Sequence, residues 1–339
     1  MRLRVAVSVT EPFLALILAV SYPTIDMEVI EDIGQYNWEG GACVTVGTFD
    51  GLHIGHRKII KELVQNAGSC GLRSVVITFD PHPRQVLAKG SVVRFVLTRK
   101  EKVDMMSTLD VDVLIIHPFS KEFAALTAKD FLVDMLCARL NMKCLVKGFN
   151  NHFGCDRLSD LNALKTLGSE HGFEVVEVEE ECHGGVTCSS TVVRRMIAEG
   201  RMGAASAVLG YDYFVEGTVV HGRMMGRTIG FPTANVYIGD DSKILPRPGA
   251  YVATVEFDGS KWPAILNIGS NPTVNDECDR VFLEAHLIGF EGDLYGRRIR
   301  VNVLRHIRNE VKFGSLSELK QQLQQDEQVA VSVIAQYAS

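Results

Sequence analysis

The chain has 339 residues, 46% of them hydrophobic, enough for two domains that each bury a core of their own. Its 35 basic and 41 acidic side chains leave a formal charge of −6, and no long basic run occurs, which argues against a nonspecific binder of nucleic acid or membrane surface and leaves small charged substrates open. Cysteines at 43, 70, 137, 144, 155, 182, 188 and 278 show neither C-x-x-C spacing nor zinc-like clustering with histidine, so reduced, mostly buried thiols of a cytoplasmic protein are expected.

Residues 1–26 carry two arginines near the start and an apolar run at 13–20, superficially like a short signal peptide. The run is too short to span a bilayer as a helix, and no small-x-small cleavage site follows cleanly. The segment is therefore read as an extension from a non-native upstream start, or as disordered, with the ordered chain beginning near Met27.

Residues 43–46 form an apolar run expected to be a buried strand. Residues 54–67 then repeat apolar positions at helical spacing, Ile59, Ile60, Leu63, Val64 and Ala67. The connecting loop holds Gly47, Gly51 and Gly55, expected to clear side chains from the path of a polyphosphate, and the helix start offers it free N–H groups. His53 and His56 flank that helix entrance on one face, where each imidazole could donate to a phosphate oxygen gaining charge.

Apolar β-rich runs alternate with helical patterns after this point, as in parallel βα units. Strands are expected at 74–79, 111–116, 143–146 and 174–178, and helices at 99–108, 127–140 and 160–172. Ligand loops follow the strand ends of an open parallel sheet, so Phe79-Asp80-Pro81-His82-Pro83 and Lys147-Gly148-Phe149-Asn150 should face one crevice with the histidine loop. Ser189-Ser190-Thr191 precede a helical run at 192–198 that carries Arg194 and Arg195 and ends at Gly200. Hydroxyls there read first as N-caps, and with an arginine one turn on also as a phosphate clamp.

The pattern changes after Leu209-Gly210. Short runs at 213–220, 251–257, 262–268, 281–287 and 298–305, punctuated by Gly, Pro, Asn and Asp, predict an antiparallel sheet or small barrel. Ser315-x-x-Glu318 is a capping box, and Leu319, Leu323, Ala330, Ile334 and Tyr337 mark a final helix expected to cover one side of the barrel. Gly222, Gly226 and Gly230, four residues apart, precede Thr233 and Asn235, without the Gly-Lys-Ser/Thr ending of a Walker motif. Two residues apart on an extended segment, Thr233 and Asn235 point the same way and could hold magnesium beside ATP. Glu284 is an acid in an otherwise apolar strand. Alone it reads as an outward-facing residue; buried or half-buried, it needs a partner or a catalytic reason, such as accepting a hydroxyl proton.

From about Met27 to its end the chain resembles the bacterial bifunctional riboflavin kinase and FAD synthetase family. The motifs GTFDGLHIGH, TFDPHP, SST followed by Arg194, GRTIGFPTAN, and Glu284 before GFEGDLYG occur in family order. The resemblance implies a Rossmann-like nucleotidyltransferase domain with a parallel sheet over 27–208. It implies a riboflavin kinase domain over 209–339, a small antiparallel β-barrel with a terminal helix. The expected activities are phosphorylation of riboflavin to FMN by ATP and adenylylation of FMN to FAD with release of pyrophosphate. His53 and His56 would stabilise the transferred adenylyl phosphate. Gly47, Phe49, Asp50, Gly51, Gly55 and Asn150 would lie at the nucleotide, with Ser190, Thr191 and Arg194 on phosphates. In the kinase, Gly222, Gly226 and Gly230 would border the nucleotide, Thr233 and Asn235 would coordinate Mg²⁺, and Glu284 would be the base. Partners would be small molecules, with neither nucleic acid nor membrane, and a homo-oligomer is left open.

Two departures accompany the match. Residues 148–154 read GFNNHFG, placing Asn151 and His152 where members usually carry an aromatic residue and often an arginine, and Thr187 stands where some carry an arginine. One rival is a flavin-binding regulator, or a kinase alone, with a degenerate nucleotidyltransferase half. A class I aminoacyl-tRNA synthetase would share His-Ile-Gly-His, but no second lysine-rich signature loop is present.

Overall fold

The computed structural model describes residues 27–87, 93–222, 226, 230–271 and 280–337, so the expectation for 1–26 and the cysteine at 278 fall outside the described residues. The first half is a parallel sheet of β1 (Glu28–Ile30), β2 (Ala42–Val46), β3 (Arg73–Phe79), β4 (Val113–His117), β5 (Met142–Gly148) and β6 (Glu174–Val178), ordered β1-β4-β3-β2-β5-β6. The chain builds outward from β2 through β3 and β4, then crosses back to place β5 on the other side of β2. That reversal opens a crevice beyond the C-terminal ends of β2 and β5, where such sheets bind ligands.

Helix α1 (Ile54–Cys70) buries Ile60, Leu63 and Ala67 against one face of the sheet. Helix α2 (Pro83–Leu87) follows the TFDPHP strand end, and α3 (Arg99–Met106) starts at a Thr98–Glu101 capping box. The opposite face takes α5 (Leu161–His171) and the segment expected as one α-helix over 127–140. That segment is instead π-helical over Asp130–Cys137 and closes with α4 (Ala138–Leu140). A short hairpin, β7 (Cys182–His183) and β8 (Val186–Thr187), leads to α6 (Ser190–Ala198) and α7 (Met202–Leu209). Val193, Met196 and Ile197 of α6, and Met202, Ala205, Val208 and Leu209 of α7, join the core of the second half.

The second half is a closed barrel of β9 (Phe214–Val220), β10 (Ala234–Tyr237), β11 (Gly249–Phe257), β12 (Ser260–Asn271), β13 (Arg280–Leu287) and β14 (Arg298–Asn309). Closure leaves no unpaired edge among the barrel strands. Helix α8 (Leu316–Tyr337) lays Ala330, Val333 and Ile334 over Val252, Ile265 and Leu304 on the barrel's outer face. Arg308 grips the buried Asp326 of that helix with two guanidinium nitrogens, at 2.9 and 3.0 Å from Oδ2. Tyr337, expected in the apolar stripe, is 56% exposed, and Val333 takes the inward position. The capping box is partial: Ser315 Oγ accepts from Glu318 N, but the Glu318 carboxylate reaches back to Gly314 N. The expectation of mostly buried thiols also gives way, since Cys70, Cys155 and Cys182 are exposed while Cys43, Cys144 and Cys188 are buried, all without disulfides.

Candidate active sites

The stretch between β2 and α1 is tightly wound. Phe49 and Leu52 hold φ of 45° and 38°, and Gly51 has φ 85°, so three residues in four lie in the left-handed region that side chains resist. Partners from elsewhere fix the loop: Tyr211 donates to Gly51 O at 2.7 Å, and Arg57 Nε donates to Leu52 O at 3.1 Å.

His53 is the N-cap of α1. Its Nδ1 accepts from His56 N at 3.3 Å, which puts the ring proton on Nε2. The His53 and His56 rings stack with centroids 3.6 Å apart, and Phe49 meets His56 edge-on at 5.3 Å. Both histidines are neutral: burial pulls the His53 pKa down to about 4, and burial, His53 and Lys102 together hold His56 well below its ordinary value. His56 Nδ1 is buried without a hydrogen-bond partner among the described residues, a need that a ligand at the helix start would meet. The pair can therefore offer neutral N–H donors, with the helix dipole behind them, to an anion.

Packing within the protein also constrains the three glycines. A Cβ at Gly47 would lie 3.1 Å from the Phe49 ring, at Gly51 3.1 Å from Val96, and at Gly55 3.3 Å from His53. Phe49, expected beside nucleotide, is a core residue at 2% exposure. Asp50, expected there too, turns its carboxylate inward: Oδ1 accepts from Val96 N at 2.9 Å and Leu97 N at 3.3 Å, and Oδ2 binds Arg194 at 2.6 Å. Arg194 also donates to Thr191 Oγ1 at 3.2 Å, and Ser190 Oγ donates to Asp50 O at 2.8 Å. The Ser190-Thr191-Arg194 group is thus assembled against the histidine loop, while Ser189 takes the capping role.

Across the crevice, Asn150 is exposed and donates to Glu180 Oε1 at 3.2 Å. Asn151, one of the departures, donates to Val46 O at 2.9 Å and so ties the β5 loop to the end of β2. His152 is exposed. Thr187 lies in the β7–β8 hairpin, its hydroxyl 3.9 Å from Cys182 Sγ.

Beyond β3 a cavity of about 180 Å³ opens beside this crevice, with Phe79, His82, Lys102 and, from the barrel, Asp240 and Ser242 in its walls. His82 stacks on Phe95 at 4.8 Å, and its pKa falls to about 4, chiefly through burial. Of these, Lys102, Asp240 and Ser242 had no local sequence signal, because their partners lie far along the chain.

In the barrel, Asn235 of β10 stands directly opposite Glu284 of β13, and Asn267 of β12 flanks Glu284 on its other side. Opposed residues share a face of the sheet. Leu283, Ala285 and Leu287 fill the core, so Glu284 sits half-buried on the outer face, with Asn235 beside it. Glu284 is thus both outward-facing and half-buried, and the residue across the ladder is the candidate metal ligand. His286 holds the strand entrance through a 2.8 Å bond to Pro232 O, and His221 stacks on Tyr295 at 3.9 Å. Of the glycine-rich loop, Gly222, Gly226 and Gly230 are described, and 223–225 and 227–229 lie outside.

The oxygens of Thr233 and Asn235 fit a magnesium ion. Both are hard neutral donors, which suits a cation that takes the rest of its octahedron from water and phosphate. The cradle around them must stay open: a Cβ at Gly222 would lie 2.1 Å from Asn235 Nδ2, and one at Gly226 2.1 Å from Phe231 O.

Comparison with known proteins agrees with this division. Residues 36–192 match the FAD synthetase family model, and residues 209–334 match that of riboflavin kinase. A bifunctional riboflavin kinase/FMN adenylyltransferase of Escherichia coli K12 is 39% identical over 303 residues, covering 89% of this chain and 95% of the relative. One from Listeria monocytogenes is 34% identical over 286 residues, covering 84% and 90%. A solved structure from Streptococcus pneumoniae, named a macrolide-efflux protein, superposes with a TM-score of 0.81 at 31% identity, covering 90% of this chain and 99% of that one. That name belongs to the pneumococcal protein; in this chain no helix among the described residues is long and apolar enough to cross a membrane. With both family models matched in order and near-complete coverage of its relatives, the chain belongs to the bifunctional riboflavin kinase/FMN adenylyltransferase family.

Proposed function

We propose that the chain makes FAD from riboflavin in two ATP-dependent steps, each on its own fold. The observation that carries the reading is the pairing of Asn235 with Glu284 on one barrel face, alongside the separate His53–His56 stack at the start of α1. In the barrel, the Glu284 carboxylate takes the proton of the riboflavin 5′-hydroxyl as its oxygen attacks the γ-phosphorus of ATP, and ADP leaves. Mg²⁺, for which Thr233 and Asn235 are the candidate ligands, supplies charge neutralisation on the ATP phosphates. In the sheet domain, an FMN phosphate oxygen attacks the α-phosphorus, the bond to the bridging oxygen breaks, and pyrophosphate departs. His53 and His56 donate to the oxygens that gain charge, and Arg194, oriented by Asp50, stands with Ser190 and Thr191 to receive phosphate. Neither step needs a covalent enzyme intermediate, so positioning and electrostatics supply the acceleration.

The working boundary is set at residue 209, with 27–208 as the adenylyltransferase and 209–339 as the kinase. Free thiols support a cytoplasmic location. Purified protein incubated with riboflavin, ATP and Mg²⁺ should yield FMN first and FAD second when the flavins are separated by chromatography. FMN as the end product, with no FAD from supplied FMN at any Mg²⁺ concentration, would reduce the chain to a kinase with a degenerate sheet domain.

A further inference from the structure

The cavity beyond β3 contains three carboxylates and two long cations, and all but one of them already have a charged or capping partner. Asp50 binds Arg194, Asp80 lies 3.2 Å from Arg99, and Asp240 accepts from Ser242 N and Oγ. Lys102 is the exception. Its Nζ donates at 2.9 Å to Thr48 O and at 3.3 Å to Thr78 Oγ1, both neutral, and among the described residues no carboxylate forms an ion pair with it. An ammonium has three protons, so one remains for the cavity.

Its position is fixed from two directions. Thr48 belongs to the histidine loop after β2, and Thr78 lies near the end of β3, so the ammonium sits where those two neighbouring strand ends open. Glu101, the preceding residue of α3, points the other way and binds Lys243 of the barrel, which holds the helix that carries Lys102 in register. Burial depresses the Lys102 pKa against the pull of Asp50 and Asp80, and its charge is felt by both His56 and His82. A partly desolvated cation that Asp50 and Asp80 reach only at a distance, with no ion-paired carboxylate among the described residues and facing a polar cavity, can take an anion.

We propose that Lys102 binds the phosphate of FMN in the adenylyl-transfer site and holds it against the α-phosphate of ATP. Two phosphates that must come together repel each other, and a cation that contacts the attacking one lowers that repulsion most as the new P–O bond forms. The flavin phosphate, rather than an ATP phosphate, is assigned because the cavity is walled by Phe79, His82 and Phe95, whereas neither His53, His56 nor any residue of the α1 N-terminus lines it. The inference rests on the transferase reading above, and Lys102 lies outside the residues that reading uses.

The test measures FAD formation from FMN by the full-length protein and by Lys102→Met, varying each substrate in turn, with riboflavin phosphorylation as a control on folding. Loss of the contact should lower kcat/KM for FMN by about 100-fold, with the half-saturating ATP concentration changed by less than about threefold and kinase activity intact. Ethylammonium added to Lys102→Ala should restore part of the rate, which a purely structural role would not predict. Unchanged FMN use, or equal loss of FMN and ATP affinity, overturns the proposal. If Lys102→Met loses kinase activity too, Lys102→Arg decides: a folded Lys102→Arg that keeps most of its FMN use supports the charge assignment, and one that loses it refutes it. Wild-type protein that makes no FAD at all would instead refute the transferase reading.

Discussion

The ion pair between Glu101 of α3 and Lys243 of the β10–β11 connection should behave as one unit. Its side chains are 1% and 0% exposed, and the ammonium lies 2.6 Å from Oε2 and 2.7 Å from Val96 O. Glu101 also accepts from Thr98 N at 2.8 Å and from Glu216 N at 3.2 Å, so one carboxylate serves an ammonium and two backbone donors. Around the ammonium stand the rings of Tyr213 and Phe214, at 4.9 and 5.1 Å. Lys243→Met removes one charge and leaves the other buried, at a cost of about 3–5 kcal/mol. Glu101→Gln keeps an acceptor for the backbone but leaves the ammonium uncompensated, at a similar cost. The double variant buries no charge, so its loss should fall short of the sum of the two single losses by about 2 kcal/mol or more. Urea unfolding followed by far-UV circular dichroism measures all four proteins. Losses that add to within about 0.5 kcal/mol would show that the two groups do not sense each other and would refute the argument.

Glu284→Gln should lower FMN formation from riboflavin by roughly two to four orders of magnitude and leave FAD formation from supplied FMN intact. His56→Ala should do the reverse, at about 3 kcal/mol of transition-state stabilisation, and a mixture of the two variants given riboflavin and ATP should make FAD again. Thr233→Ala and Asn235→Ala should each raise the Mg²⁺ concentration needed for half-maximal kinase rate without changing that for adenylylation. The folded-state pKa of His53, about 4, lies below its unfolded value, so the unfolded chain binds more protons between pH 6.5 and 4. Stability is then complete above pH 6.5 and falls as pH drops toward 4, by about 3 kcal/mol from this residue, and His53→Asn should flatten that part of the pH–stability curve.

Local periodicity alone determined the framework. The apolar run before the histidine loop, the helical repeat after it and the change of pattern near Gly210 each depend on neighbours a few residues away, and each appears in the fold as β2, α1 and the start of the barrel. The motif order named the family for the same reason, since GTFDGLHIGH and GRTIGFPTAN are contiguous in the chain. Short elements stayed hidden. Strands β1 and β10 have three and four residues, too few to show alternation, and β10 is a strand only because β9 and β13 pair with it. Strand β4 begins two residues later than its apolar run, after Asp110 turns the chain at φ 55° and Asp112 accepts from Ser74 N and Oγ.

Partner choice among polar groups belonged wholly to the tertiary structure. Asp50 is joined to Arg194 across 144 positions and Glu101 to Lys243 across 142, and no pattern within a window of sequence encodes either pair. The same closure paired the Asp50 carboxylate with Arg194 and set Asn235 opposite Glu284. It also left Lys102, among the described residues, as a cation of its cavity without an ion-paired carboxylate. A buried charge or N–H must find a partner wherever the fold brings one within reach, so residue identity decides which groups need satisfying while the packing decides what satisfies them.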